Sequence, residues 1–112
     1  MPVINSISNM KNDMQKWRRH LHRSPELGFE EYETSNFISK KLGEFGIKFY
    51  RDIAKTGIVG VIQGSKPEKD AIGLRADMDA LPMPEENTFP HASSISGKMH
   101  ACGHDGHVTM LL

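Results

Sequence analysis

Ile7, Met10, Met14, Trp17 and Leu21 recur at intervals of three and four, which is the period of one face of an amphipathic helix. Ser6 or Ser8 is placed to cap that helix. Ser24-Pro25 ends it, because a residue before proline is pushed out of the helical region. Pro25 to Gly28 reads as a turn. A second helix is expected from Phe29 to Phe45, with Tyr32, Phe37 or Ile38, Leu42 and Phe45 facing inward. Gly43 weakens this helix and Gly46 ends it. The period then changes. Ile47 to Arg51 suits a short strand, and the β-branched run from Gly57 to Gln63 is a strand bounded by glycines. A polar turn over 64–70 leads to Ala71–Ala76, which is expected to pair antiparallel with 57–63 as a hairpin. Leu81-Pro82-Met83-Pro84 is extended and Glu85-Glu86-Asn87 is a polar loop. Gly106 opens a short apolar helical run, Val108 to Leu112. Helices leading into a strand pair make this an α/β chain.

A chain of 112 residues bounds the answer to one domain, and 38% hydrophobic content supports only a modest core. Lys plus Arg equals Asp plus Glu, so the formal charge is zero. That balance gives no support to nucleic acid or an anionic membrane as partner. One cysteine makes no internal disulfide, which suits a reducing compartment. No apolar run with a basic flank opens the chain, and no stretch approaches the roughly 20 apolar residues needed to span a bilayer. The expectation is a cytoplasmic protein. The last residues lie inside an apolar helical run without a cap or breaker, so a continuation is expected.

Several charged clusters have ordinary explanations. Arg18, Arg19, His20, His22 and Arg23 crowd the last turns of the first helix, where positive charge suits the negative end of the dipole, and are expected to be solvated. Glu30, Glu31 and Glu33 suit the first turn of the second helix for the converse reason. His91, in a loop of prolines and serines, is expected in solvent. Gly57, Gly60 and Gly64 match neither phosphate-binding glycine pattern.

The densest chemistry lies in Met99-His100-Ala101-Cys102-Gly103-His104-Asp105-Gly106-His107, with the only cysteine and half of the six histidines. Thiolate and imidazole are the preferred ligands of a borderline-soft cation. Cys102 and His104 are two apart, so on extended backbone they leave one face and can grip one ion. Gly103 lets the backbone bend between them, and Asp105 is placed to cap orphan amides of the following helix. No second pair stands at zinc-finger spacing. Two further carboxylates, Asp77 and Asp79, follow the expected strand at 71–76. They either mark a ligand site beyond the strand's end or are loop aspartates capping the next turn.

With this stretch, two others resemble one family: Trp17-Arg18-Arg19-His20-Leu21-His22 with Ser24-Pro25-Glu26-Leu27, and Leu74-Arg75-Ala76-Asp77-Met78-Asp79-Ala80-Leu81-Pro82. In that order they look like the metal-dependent amidohydrolases of the aminoacylase/carboxypeptidase metallopeptidase family. The branch is that of hippurate hydrolases, N-acyl-amino-acid amidohydrolases and auxin-conjugate hydrolases. The resemblance implies that residues 1–112 are the N-terminal portion of a three-layer αβα catalytic domain with a mixed sheet. The metal loop would lie at the sheet's edge, and the lid or dimerisation domain would be absent.

It implies two divalent ions (zinc, manganese, cobalt or nickel) bridged by water and by a protein group. Cys102 matches the bridging ligand and His104 a terminal one. Asp79 matches the aspartate that hydrogen-bonds a ligand histidine without touching metal, which fixes the imidazole's tautomer. Asp77 is a weaker candidate. The general base, a glutamate, would lie beyond this chain, as would further ligands. The activity implied is hydrolysis of the amide bond of small N-acyl amino acids or related conjugates, by a longer form, with a homodimer among its implied assemblies. The chain alone is expected to be inactive. Two rivals remain. One is a small metal-binding or structural module without catalysis. The other is a thiol-dependent hydrolase with Cys102 as nucleophile and His100, His104 or His107 as base.

Overall fold

A computed structural model describes residues 2–67 and 69–112. Glu68, inside the expected polar turn, lies outside the described residues. The elements are α1 (Asn5–Asn9), α2 (Lys11–Arg23), α3 (Tyr32–Glu44), β1 (Lys48–Ile53), β2 (Gly57–Val61) and α4 (His104–Leu111). No helix among the described residues is long and apolar enough to cross a membrane.

The first amphipathic run is two helices rather than one, broken at Met10, whose N–H bonds Ile7 O at 3.0 Å. Neither Ser6 nor Ser8 caps α1. Ile4 holds that position without a side-chain bond. The expected apolar face is buried only in its second half: Trp17 and Leu21 are buried, while Ile7 and Met10 stay 47% and 37% exposed. The reason is geometric, since α1 packs chiefly on α2. Trp17 meets Phe45 with ring centroids 5.7 Å apart, beneath the Lys41 ammonium. His20 stacks on Phe37 at 4.5 Å. These aromatic contacts join α2 to α3.

Ser24 ends α2, as expected before proline. The turn that follows does more than reverse the chain. Glu26 accepts hydrogen bonds from the N–H groups of Glu33 and Thr34 and from the Thr34 hydroxyl, at 3.1, 2.6 and 2.6 Å. It thereby satisfies two orphan amides at the start of α3. Tyr32, expected inward, is 52% exposed, and the buried face of α3 is Thr34, Ser35 and Ser39. Gly46 takes a positive φ of 71°, and Ile47 N–H and Gly46 N–H return to Leu42 O and Gly43 O. That paired closure is a Schellman motif, which glycine permits.

β1 pairs antiparallel with β2 in the register Lys48 to Val61, with a bulge between Tyr50 and Ile53. The expected hairpin of 57–63 with 71–76 does not form. Residues 71–76 adopt no strand, and Ile72 and Leu74 are 92% and 76% exposed. The connection between β1 and β2 spans only residues 54–56, so this pairing costs less loop-closure entropy than one across 62–70. The only other ladder contact among the described residues is an antiparallel bridge between Leu81 and Met99. The histidine loop therefore leans on the Leu81 segment, and α4 packs on α2. It does not lie at the edge of the β1–β2 sheet, which packs on α3. The apolar core is small: Trp17, Leu21, Ala80 and Val108.

Candidate metal centre

The centre is assembled from three segments that backbone bonds hold together. Ala80 N–H bonds Glu26 O at 2.7 Å, and Leu81 exchanges both bonds with Met99 at 2.9 and 3.0 Å. Asp79 and the histidine loop are thus fixed to the same turn and to each other. Gly103, at φ 84°, turns the chain into α4 as its N-cap. The helix begins at His104, two residues before the expected start at Gly106. One helical turn then puts His104 and His107 on the same side, with ring centroids 5.3 Å apart.

His104 Nδ1 lies 2.9 Å from Asp79 Oδ1 and 3.0 Å from the Asp79 carbonyl oxygen. Both neighbours only accept, so Nδ1 carries the ring proton and donates it. In the neutral ring the lone pair then lies on Nε2. Asp77 Oδ2 lies 3.6 Å from that Nε2, too far for a good hydrogen bond. Arg75 holds the other Asp77 oxygen at 2.7 Å. Donor atoms of Asp77, His104 and His107 all fall within 4.8 Å of one another. Nitrogen and carboxylate donors at such spacing are a ligand set for a divalent ion, so the residues present fit a metal. Cys102 is exposed and stands outside this group. His100 is buried, and neither of its ring nitrogens has a hydrogen-bond partner. Burial disfavours its charged form and pulls its pKa below 6.5.

Behind the centre, His22 corrects the reading of its cluster as solvated. The ring is sandwiched between two carboxylates, with Nδ1 2.8 Å from Asp105 Oδ2 and Nε2 2.6 Å from Glu85 Oε1. The carboxylate side chains are only 1% and 2% exposed. Glu85 lies in a loop, as expected, but with its carboxylate buried. Asp105 also accepts from Gly106 N–H at 2.9 Å and faces Arg18 Nε at 3.4 Å. Ser93 N–H donates to Glu85. Burial opposes charge on His22, but the two hydrogen bonds outweigh it and raise the pKa above 6.5. Burial likewise opposes ionisation of Asp105 and Glu85, yet hydrogen bonds from His22 bring both below their ordinary values. An imidazolium donating at both nitrogens satisfies both carboxylates. Sequence spacing offered no sign of this pairing, because the partners lie 83 and 63 positions away. His91, expected in solvent, is half-buried and stacks on Phe89 at 4.0 Å. Arg18, Arg19, His22, His91, Gly103 and His107 share an open cleft of about 760 Å³ beside the histidine loop.

Residues 73–112 match the family described as peptidase family M20/M25/M40. Over its full 112 residues the chain is 47% identical to a hippurate hydrolase of Campylobacter jejuni, covering 29% of that protein. It is 47% identical over 106 residues to an N-acyl-L-amino acid amidohydrolase of Geobacillus stearothermophilus, covering 95% of this chain and 28% of that one. A solved structure of a dinuclear metal-binding M20 peptidase from Bacillus subtilis superposes with a TM-score of 0.85 at 40% identity. That match covers 91% of this chain and 28% of the other. The chain therefore spans less than a third of the length of these relatives.

Proposed function

Because the chain belongs to peptidase family M20/M25/M40, we propose that it forms the N-terminal portion of the catalytic domain of a metal-dependent amidohydrolase. Its substrates are N-acyl amino acids or related conjugates. The observation that carries this reading is the contact of Asp79 with His104 Nδ1, which leaves Nε2 as the nitrogen available to a metal. Supporting carboxylates of this kind orient ligand histidines and raise their basicity. Cys102 and His104 are the proposed metal ligands, with Cys102 as the bridge between two ions and Asp79 as the positioning residue. When bound, divalent ions supply polarisation of the amide carbonyl and activation of the attacking water. The chain's own contribution is to hold donor atoms still. Asp79 fixes the His104 ring, and His22 holds Asp105, the next residue along, against Glu85. The cleft beside His107 is of a size that suits a small molecule, and its arginines suit a substrate carboxylate.

The general base and remaining ligands are proposed to come from residues outside this chain. The rival reading of Cys102 as nucleophile needs His100, His104 or His107 as base, and among the described residues no hydrogen bond joins Cys102 to any of the three. The test is release of the amino acid from a simple N-acyl amino acid by a protein of the relatives' full length containing this chain, with bound metal quantified alongside. Cys102→Ser should lose both metal and rate, and Cys102→Asp should recover part of each, since a carboxylate also bridges. A Cys102→Ser protein that keeps two ions and its full rate would refute the bridging role.

A further inference from the structure

Residues 71–76 have the composition of a strand but find no strand partner. Among the described residues, no backbone hydrogen bond reaches any N–H or carbonyl from Ala71 to Ala76. Lys69 to Arg75 are exposed throughout, with Ile72 at 92% and Leu74 at 76%. Two large apolar side chains spaced two apart share one face of an extended segment. Unpaired backbone groups beside apolar side chains are a template for another strand. The C-terminal end of this edge is anchored, because Ala80 N–H bonds Glu26 O at 2.7 Å and Leu81 pairs with Met99.

We propose that this edge is a self-complementary docking surface, on which a second copy of the chain pairs its own residues 71–75 antiparallel about a two-fold axis at Gly73. An axis normal to a strand pair must pass through a residue, and Gly73 is the one between the two apolar side chains. Ile72 of one copy then stands opposite Leu74 of the other, and the symmetry repeats the contact. The four side chains share one face and form an apolar cluster that neither copy has alone. A Cβ built at Gly73 would meet nothing within 4 Å, so no part of the fold obstructs the approach, and the missing side chain lets the two backbones close up. The same register sets Lys69 of one copy opposite Asp77 of the other, an attractive pair at each end of the ladder. The formal charge of zero leaves no general repulsion between copies. These matches in shape and charge favour a second copy over an unrelated strand.

The experiment is sedimentation equilibrium of the 112-residue chain from about 5 to 500 µM, a range that covers the weak affinity of a small interface. Hydrogen exchange is followed over the same concentrations. The expected result is a monomer–dimer equilibrium, with exchange at alternate amides of 71–75 slowing as concentration rises. Leu74→Lys brings like charges together across the axis, and Gly73→Pro adds a ring and removes a backbone donor. Each should raise the dissociation constant at least about tenfold. Both positions are exposed, and far-UV circular dichroism and Tm check that each variant keeps the fold. Ile62→Lys, at a position 80% exposed outside the segment, should leave the dimer intact. A chain that stays monomeric throughout overturns the inference and leaves the edge to a strand of another protein. So does a dimer that survives Leu74→Lys and Gly73→Pro, or one that Ile62→Lys dissolves. Growth beyond the dimer overturns it as well, because two-fold pairing closes at two copies.

Discussion

Asp79 Oδ1 lies 2.9 Å from His104 Nδ1, and that one contact decides which imidazole nitrogen is available to a metal. Asp79→Asn keeps the shape but removes the charge that makes the ring a better donor. Metal affinity should fall about 10–100-fold, the usual effect of losing such support. Calorimetric titration of zinc into wild-type and variant chains checks this, and equal affinities would show that Asp79 does not position His104.

His22→Ala should destabilise the fold strongly. It leaves the side chains of Asp105 and Glu85, 1% and 2% exposed, without their shared donor. Removing one partner from a buried charged group costs about 3–5 kcal/mol. Urea denaturation should show the midpoint falling with little change in slope. A loss under about 1 kcal/mol would mean that water reaches both carboxylates freely.

The same triad sets a pH dependence, best read as the stability difference between wild type and His22→Gln. The folded pKa of His22 is raised, so its contribution is complete below the ordinary value of 6.5 and lost as pH rises through the folded value. Glu85 and Asp105 are lowered, so theirs is complete above 4.5 and 3.8 and lost on acidification. The difference should peak between about pH 4.5 and 6.5 and shrink on both sides. His100 has the opposite sign to His22, since its lowered pKa makes acid destabilising below 6.5. The wild-type curve alone mixes the two. A difference that is flat from pH 5 to 8 would show that His22 is not charged in the fold.

Glu26→Ala should cost about 1–2 kcal/mol through the loss of an acceptor for two amides at the start of α3. Glu26→Gln keeps one acceptor oxygen and should cost less. Hydrogen exchange of the Thr34 amide provides a local measure. Unchanged protection in Glu26→Ala would exclude the capping role.

Gly57→Ala should disrupt the hairpin. A Cβ there would lie 2.6 Å from Ile53 O, a backbone atom that cannot swing aside. The required shift should cost about 1–3 kcal/mol, read as a lower Tm. Gly28→Ala, where a Cβ meets nothing within 4 Å, is the control.

Local patterns were legible in the sequence by themselves. Apolar periodicity placed α2 and α3, Ser24-Pro25 gave the end of α2, Gly46 the end of α3, and the β-branched run gave β2. These features depend on residues within one or two turns of one another, which is the range over which side-chain period and backbone preference act. The dense Cys/His stretch was equally visible, because ligand chemistry belongs to residue type. What only the tertiary structure decided were the partners. The short connection over 54–56 favours β1 as the partner of β2, but that 71–76 forms no strand depends on which neighbours it meets in the fold. Nothing local marks His22 as buried between Glu85 and Asp105, nor draws Asp77 to His104 while leaving Cys102 outside. Such contacts join side chains 27 to 83 positions apart. Their energies come from desolvation and orientation, which exist only once the segments have packed.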